Sequence, residues 1–327
     1  MTRVYIIETP YHLLICATKT ILEKRMGKDV VLLYKQNFSS TTIKRLKTIF
    51  KEVLCFNLIE NFIGLLNLKL HQKKIPLLPF FIRQNHNINE KWLKNKEVFI
   101  FNDNDYYGCF LNFMKKDYNL IEDGLNCFSS DLEAYVRKHR HKLYLLLGFS
   151  WDSFGKSKFT KTIEVNDISK MRIKYPNSIE MNRDQLFKSL SDNDVDTIAQ
   201  VFNHQPLPTP PKGDHSLLLT QPLSEDGYVS HSKKIEIYQF LARKYAIGTL
   251  YVKAHPREKE DYSKILPNAV ILSNNKIPFE LYQLKEKFHF KRAISTFTTA
   301  MDSIFCADEK IQMGLDWTLN FDKKRTT

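Results

Sequence analysis

Polar side chains follow several short apolar runs in this 327-residue sequence. In the second half, three clusters stand directly after such runs: Gln221 to Gly227, His255-Pro256-Arg257 and Ser295-Thr296. In the first half, two more clusters hold the same position: Glu8 to His12 and Glu122-Asp123-Gly124. If the apolar runs are parallel strands, these groups meet at the carboxyl edges of sheets, where α/β proteins bind ligands.

These residue types suit the transfer of a group away from a phosphate. Hydroxyls at a helix N-terminus bind phosphate well, because free backbone N–H groups and the helix dipole point there. A histidine, with an ordinary pKa near ~6.5, can carry positive charge beside a phosphate and donate a hydrogen bond to it as it leaves. A carboxylate can take the proton from an attacking hydroxyl. The combination predicts displacement of a nucleotide phosphate by an alcohol.

Each cluster alone also has an ordinary structural interpretation. A Glu-Asp-Gly sequence is typical of a turn, and a Ser-Thr pair before a helix is typical of an N-cap. Tyr11 and His12 fit the start of the first helix as well as they fit an acceptor site. The prediction of a site therefore depends on all the clusters standing at strand ends together.

Apolar runs alternate with helical patterns from the first residue, which is typical of parallel sheets built from βαβ units. In the first half the pattern predicts strands at Val4–Ile7, Val30–Tyr34, Val53–Asn57, Val98–Asn102 and Tyr118–Ile121. It predicts helices at Tyr11–Met26, Thr42–Phe50, Tyr107–Lys116 and Asp131–Leu147, then a connector at Trp151–Pro176 and a helix at Met181–Phe202.

The prolines between 208 and 211 interrupt all regular structure, and a second α/β run follows them. Its predicted strands are Leu217–Thr220, Leu250–Ala254, Ala269–Leu272 and Ala293–Ser295, and its predicted helices are Lys233–Tyr245, Phe279–Phe288 and Thr298–Cys306. We therefore expect an α/β protein of two Rossmann-like domains facing a central cleft. The expected domains are 1–155, on the side of the attacking alcohol (the acceptor), and 156–327, which we expect to bind the nucleotide-linked group (the donor).

Composition and missing motifs exclude several classes of protein. A hydrophobic content of 43% is too high for a disordered chain. Neither a P-loop nor a dinucleotide-binding glycine motif is present, and the five cysteines form no C-x-x-C pair. The D-x-D sequence Asp103-Asn-Asp105 lies among polar and aromatic residues, so we expect no metal and no other cofactor. No apolar run approaches the ~18 to 20 residues of a membrane span, which predicts a cytoplasmic protein.

The basic surplus, 49 Lys and Arg against 36 Asp and Glu, is compatible with an anionic partner. Lysine and arginine are spread along the whole chain rather than gathered in a stripe with aromatics, which disfavours nucleic acid. Leu58 to Arg83 mixes apolar and basic residues and fits peripheral contact with an anionic inner membrane, or a core helix followed by a loop. A basic nucleic-acid or membrane-surface binding protein is the alternative from a different functional class.

In their order, Glu122-Asp123-Gly124, His255-Pro256 and Ser295-Thr296 resemble the acid-acid-Gly, His-Pro and Ser-Ser/Thr motifs of bacterial sialyltransferases. Lys253 to Arg257 and Pro278 to Tyr282 also resemble family 52 glycosyltransferases, the lipooligosaccharide and capsule sialyltransferases. This resemblance implies a GT-B type fold and a metal-independent, inverting transfer from CMP-sialic acid to a terminal galactose, with α-2,3 linkage. Transfer to another position, α-2,6 or polymerising, stays open, and so does a homodimer, since some relatives form swapped dimers.

The resemblance also implies roles for individual residues. His255, Ser295 and Thr296 would hold the departing CMP phosphate, Glu280 the ribose and Lys253 the nucleotide. The whole donor-binding set is Gln221, Lys253, Pro256, Arg257, Glu280, Ser295 and Thr296. In family 52 the general base resembles an acid of the loop after the strand that precedes His-Pro, for which we expect Asp226, with Glu225 as second candidate. The second acid of the acid-acid-Gly motif, Asp123, is the third candidate. The acceptor or supporting set is Pro10, Tyr11, His12, Glu122, Asp123 and Gly124.

Overall fold

The computed structural model describes residues 1–56, 90–124, 127–129, 154–206, 213–272, 276–286 and 288–324. The chain divides into two compact units, Met1–Asn203 (unit 1) and His204–Thr327 (unit 2). Each unit is built on a parallel sheet with helices between its strands.

The sheet of unit 1 has the strand order β3-β2-β1-β4-β5-β6-β7, and all its pairs are parallel. Its strands are β1 Thr2–Ile7, β2 Val30–Tyr34, β3 Glu52–Phe56, β4 Lys96–Ile100, β5 Tyr118–Ile121, β6 Thr160–Val165 and β7 Ser178–Glu180. Since β1 pairs with both β2 and β4, the direction of winding reverses between β1 and β4. A reversal of this kind opens a crevice at the carboxyl ends of the two strands.

The helices of unit 1 among the described residues are α1 Pro10–Leu22, α2 Ser40–Arg45, α3 Glu90–Leu93, α4 Tyr106–Phe113, α5 Arg183–Lys188 and α6 Asp192–Val201. Helix α1 begins where Thr9 Oγ1 accepts the His12 N–H at 3.2 Å, with Pro10 in its first turn. Residues 12 to 21 of α1 are all buried, so this helix lies in the core and fixes the first strand end.

The sheet of unit 2 has the order β10-β9-β8-β11-β12, again wholly parallel, with the reversal between β8 and β11. Its strands are β8 His215–Leu219, β9 Thr249–Lys253, β10 Val270–Ile271, β11 Phe290–Ser295 and β12 Ala307–Gln312. The helices described are α7 His231–Tyr245, α8 Tyr262–Ile265, α9 Phe279–Glu286, α10 Leu315–Leu319 and α11 Phe321–Lys324, and a 3₁₀ turn spans Thr299–Ser303. The core includes Leu218, Val252 and Ile294 from the three central strands.

The predicted class, two Rossmann-like α/β domains of the GT-B type, is confirmed by these two sheets. The predicted connector at Trp151–Pro176 is wrong, because β6 lies within it and pairs with β5. The sequence of β6, Thr-Lys-Thr-Ile-Glu-Val, contains no apolar run that would indicate a strand. Its charged residue Glu164 can be buried because it forms an ion pair with Lys19 on α1. With β6 and β7 in the first sheet, the chain divides after Asn203, whereas the sequence placed the boundary after residue 155.

Three other predicted helices and one predicted basic segment differ from the structure or fall outside its described residues. The helix expected at Met181–Phe202 is two helices, because Ser191 forms a capping box that starts α6 anew. The helix expected at Thr298–Cys306 is a 3₁₀ turn followed by the edge strand β12. The predicted helix at Asp131–Leu147 and the basic segment from Leu58 to Arg83 lie outside the described residues, within which no helix is long and apolar enough to cross a membrane.

Candidate functional site

Three neighbouring strands of unit 2 end at the same level of the sheet. The parallel register pairs Leu219 of β8 with Lys253 of β9 on one side and with Ser295 of β11 on the other. The three polar clusters that the sequence singled out in this half therefore follow adjacent strand ends at the winding reversal. This is the crevice at which doubly wound sheets bind ligands.

His255 is held by its backbone and by one ring nitrogen. Its N–H donates to Glu258 Oε2 at 2.8 Å and lies 3.2 Å from Thr220 Oγ1, and its Nδ1 accepts the Arg257 N–H at 3.2 Å. Because Nδ1 accepts, the proton of the neutral ring is on Nε2. Burial, reinforced by the positive charges of Arg257 and Lys253, lowers the pKa of His255 to about 4. The ring is thus a neutral hydrogen-bond donor at pH 7.

Lys253 is a buried amine beside this histidine. Only 6% of the residue is exposed, and its Nζ donates to the Ala254 carbonyl at 3.3 Å. Burial lowers the pKa of Lys253 to about 7, although the negative charges of Glu280 and Glu258 act in the opposite direction. An anion bound nearby would favour the charged form of the amine.

Gln221 ties the ends of β8 and β11 together. Its Oε1 accepts the Thr296 hydroxyl at 2.8 Å and the Phe297 N–H at 3.2 Å, and its backbone is bonded to the Tyr238 hydroxyl. The Thr296 hydroxyl therefore has a partner within the protein. The Ser295 hydroxyl is fully buried at the end of β11 and has no hydrogen-bond partner among the residues that the structure describes.

The two acids of the loop after β8 have different partners. Both oxygens of Glu225 accept from Lys234 Nζ, at 3.0 and 2.9 Å, and Lys234 has a side chain that is 1% exposed. Burial acts to raise the pKa of Glu225, but the hydrogen bonds and charge of Lys234 lower it on balance. Asp226 receives a bidentate pair from Arg257 at 2.6 and 2.9 Å. The loop ends at Gly227, whose φ of +73° suits glycine.

The other predicted donor residues lie around the same edge. Glu280 stands in the first turn of α9, is buried, and accepts the Ser303 hydroxyl at 2.8 Å. Pro256 lies in the turn between His255 and Arg257, whose side chain is 59% exposed.

In unit 1, the corresponding winding reversal carries a histidine and an acid. His12 Nδ1 accepts the Glu8 N–H at 3.3 Å, and its Nε2 is bonded to Asp123 Oδ1. The ring stacks on Phe101, with centroids 4.0 Å apart and planes 3° from parallel. His12 is buried, while the Asp123 side chain is 54% exposed. The structure therefore brings together His12 and Asp123, two of the predicted acceptor residues.

Three carboxyl groups lie near this reversal: Asp103 is buried, and Glu8 and Asp105 are partly exposed. Burial raises the pKa values of Glu8 and Asp105, and a hydrogen bond between the two raises that of Glu8 further. Asp105 Oδ1 also caps α4 by accepting the Gly108 N–H at 2.8 Å. Asp103, the other acid of the D-x-D sequence, accepts the Phe154 and Gly155 N–H groups.

The remaining predicted residues of unit 1 include one with a clear structural role. Glu122 is buried, and its two oxygens accept the Asn166 N–H at 2.7 Å and the Phe128 N–H at 3.4 Å. Burial raises the pKa of this carboxyl group despite those bonds. Gly124 lies in the bend after Asp123, and Pro10 and Tyr11 open α1.

Sequence reasoning did not single out Glu258, Lys234 or the pairing of Glu8 with Asp105. Glu258 follows the His-Pro pair by three residues, the spacing at which an acid can turn back to bind a backbone N–H, and this signal was available. Nothing in the sequence indicates the contacts of Lys234 or the pairing of Asp105 with Glu8, because the partners are far apart along the chain.

Comparison with known proteins agrees with this architecture. A model of glycosyltransferase family 52 matches residues 25–313. An uncharacterized protein of Haemophilus influenzae is 31% identical over 198 residues, which is 60% of this chain and 62% of that protein. The match thus spans about three fifths of the length of that relative.

Two solved structures share the fold at low sequence identity. One is an alpha/beta-galactoside alpha-2,3-sialyltransferase from Photobacterium phosphoreum, with a TM-score of 0.55 and 14% identity over 95% of this chain and 90% of that one. The other is a 2,6-sialyltransferase from a Photobacterium species in complex with CMP and lactose, with a TM-score of 0.54 and 12% identity over 95% and 71%.

Proposed function

Because the chain belongs to glycosyltransferase family 52, we propose that it is an inverting sialyltransferase that moves sialic acid from CMP-sialic acid to a terminal galactose without a metal ion. The observation that carries this proposal is the edge of unit 2, where Lys253 and His255 stand at and just after the end of β9 and Ser295 stands at the end of β11, the two strands that flank β8. An amine, a neutral imidazole N–H and a buried hydroxyl together suit a phosphate.

The chemistry demands most at the leaving group. The anomeric carbon of sialic acid is tertiary and bears a carboxylate, so the bond to phosphate breaks ahead of bond formation through an oxocarbenium-like transition state. His255 Nε2 donates to the phosphate oxygen on which charge develops. Lys253 gains a proton as the anion binds, because the nearby negative charge raises its pKa. Both effects stabilise departing CMP.

Asp226 is the base in this proposal, and its contacts favour it over Glu225. Its partner Arg257 is 59% exposed and can move aside when a ligand arrives. The partner of Glu225, Lys234, is 1% exposed and bound to three carboxylates, and it lowers the basicity of Glu225. Asp123 of unit 1, the third candidate, is assigned to the acceptor with Pro10, Tyr11, His12, Glu122 and Gly124.

The linkage, acceptor and location extend the proposal. We assign α-2,3 linkage on a capsule or lipooligosaccharide glycan, with α-2,6 or polymerising transfer as the alternatives. The net charge of +13 suits work at an anionic inner membrane. Equal binding of the protein to neutral and anionic vesicles would remove the membrane part alone.

Ligand binding and turnover test the central proposal. CMP is expected to raise the unfolding midpoint in the presence of EDTA, whereas UMP and AMP do not. CMP-sialic acid and lactose are then expected to release CMP, and NMR of the product identifies the linkage. Equal shifts with all three nucleotides, or no release of CMP with galactosides, would contradict the donor assignment.

A further inference from the structure

Glu258 binds the turn that carries His255. One carboxylate oxygen, Oε2, accepts the His255 N–H at 2.8 Å and the Thr220 hydroxyl. The other, Oε1, accepts the Tyr262 hydroxyl at 2.7 Å and lies 2.8 Å from Lys234 Nζ. Its side chain is 0% exposed. Every contact of this carboxylate is therefore internal, and one of them fixes the backbone of the proposed leaving-group residue.

Lys234 holds Glu258 in place from α7. Its Nζ lies within 3.0 Å of three carboxylates, those of Glu225, Glu258 and Glu260. An ammonium group has three protons, so each acid can receive one. Because three carboxylates share the one positive charge of a lysine whose side chain is 1% exposed, loss of Lys234 would leave buried negative charge uncompensated. The cluster is therefore a rigid support rather than an exposed ion pair.

Two opposed contacts set the direction of the imidazole. Glu258 fixes the peptide N–H of His255, and the Arg257 N–H, two residues on, fixes Nδ1. The second bond forms only if the turn keeps its shape, and Glu258 and Thr220 are the described groups that bind the N–H at the start of that turn. The tautomer of the His255 ring thus depends on the contacts that Glu258 and Thr220 make with the backbone of the turn.

We propose that Glu258 is a positioning residue which, held by Lys234, keeps the His-Pro turn in the shape that leaves the proton of His255 on Nε2, directed to the donor phosphate. The reaction part of this inference rests on the proposed function. The positioning part concerns the protein without ligand and does not depend on the proposed function.

The test combines kinetics with NMR of the histidine ring in the full chain. Glu258→Gln keeps the size of the side chain but removes its charge and its capacity to accept four bonds. We expect kcat to fall by about 10- to 100-fold, the KM for CMP-sialic acid to change less than threefold, and the ¹⁵N shifts of His255 to move from the Nε2–H tautomer toward a mixture. Glu236→Gln, in the exposed pair with Lys233 on the same helix, is the matched control and should change none of these.

A milder variant covers the case in which Glu258→Gln does not fold. Thr220→Val removes one of the two acceptors near the His255 N–H while preserving shape, and should produce a smaller change of the same kind in kcat and tautomer. An unchanged tautomer in the folded variants overturns the proposal, and so does a kcat within twofold of wild type in Glu258→Gln. If the wild-type chain transfers no sialic acid but Glu258→Gln still shifts the tautomer, the proposed function fails and the positioning role stands.

Discussion

The two winding reversals of this protein share the same parallel-strand topology, but the groups with shifted pKa values are bases at one and acids at the other. At the reversal of unit 2, burial lowers the pKa values of two bases, Lys253 and His255. At the reversal of unit 1, burial raises the pKa values of two acids, Glu8 and Asp105. Both edges therefore hold less charge than their residue types suggest. An anion brought to unit 2 would restore positive charge there, whereas an anion brought to unit 1 would oppose carboxylates.

This contrast supports the assignment of different ligands to the two edges in the proposed function. A phosphate gains most at the edge of unit 2, since protonation of Lys253 adds to the attraction. In the proposed function a neutral sugar hydroxyl suits the edge of unit 1, because His12 and the exposed Asp123 can form hydrogen bonds with a hydroxyl and do not require an anionic ligand. The winding topology creates two crevices, and the side chains at the strand ends decide what each can bind.

The largest expected effect concerns the proposed base, Asp226. Asp226→Asn should lower kcat by about 10²- to 10⁴-fold, because a positioned general base contributes that much, and CMP affinity should change little. Steady-state kinetics and calorimetry of CMP binding measure both quantities. Glu225→Gln is the matched control within the same loop, and its kcat should fall much less. If Asp123→Asn has the larger effect on kcat, the base belongs to unit 1 and the contrast between the edges must be redrawn.

His255→Ala should follow in size. Loss of one donor to developing charge typically costs about 10²- to 10³-fold in rate, roughly 2.7 to 4 kcal/mol. His12→Ala is the corresponding change in unit 1 and should raise the KM for the acceptor while CMP affinity stays as in wild type. A loss below tenfold in His255→Ala would exclude its role at the leaving group. A CMP affinity lowered equally by both variants would remove the distinction between the two edges.

The sequence predicted the strand ends of both edges well, and the reason is local. Buried parallel strands are continuous apolar runs, and β2 and β5 match their predicted bounds. The prediction failed at β6, where Glu164 is buried by pairing with Lys19, 145 residues away. The site follows the same rule: the His-Pro turn was visible in the sequence, while the support from Lys234 was not, because it depends on how α7 packs on the sheet.

Lys253→Met tests how much the buried amine of Lys253 lowers the stability of the folded protein. The amine has an ordinary pKa near 10.5 that falls to about 7 in the folded protein. The unfolded chain therefore binds more protons between these values, and at pH 7.5 the difference destabilises the fold by up to about 4 kcal/mol. The variant should unfold at a higher temperature and bind CMP more weakly. Lys233→Met, at a lysine of α7 that pairs with Glu236 and Asp322, should not stabilise the protein. A lower midpoint for Lys253→Met would show that the amine of Lys253 stabilises unit 2.

The smallest expected effect is a pH dependence of opposite sign at the two edges. His255 has a folded pKa of about 4 against about 6.5 unfolded, so the unfolded chain takes up a proton first and stability falls as pH drops through this window. At pH 5.5 the loss of stability is about 1 kcal/mol, and His255→Gln should remove it.

The raised pKa of Glu8 gives the opposite dependence of stability on pH. Its contribution is present in acid and is lost as pH rises through the folded pKa, so Glu8→Gln, which stays neutral and can still donate to Asp105, should gain stability relative to wild type at pH 8 and not at pH 4. Urea unfolding of both variants across pH 4 to 8 measures the two slopes. Equal slopes would mean that the edges do not differ in the charge they can hold, and the assignment of phosphate to unit 2 and hydroxyl to unit 1 would lose its physical basis.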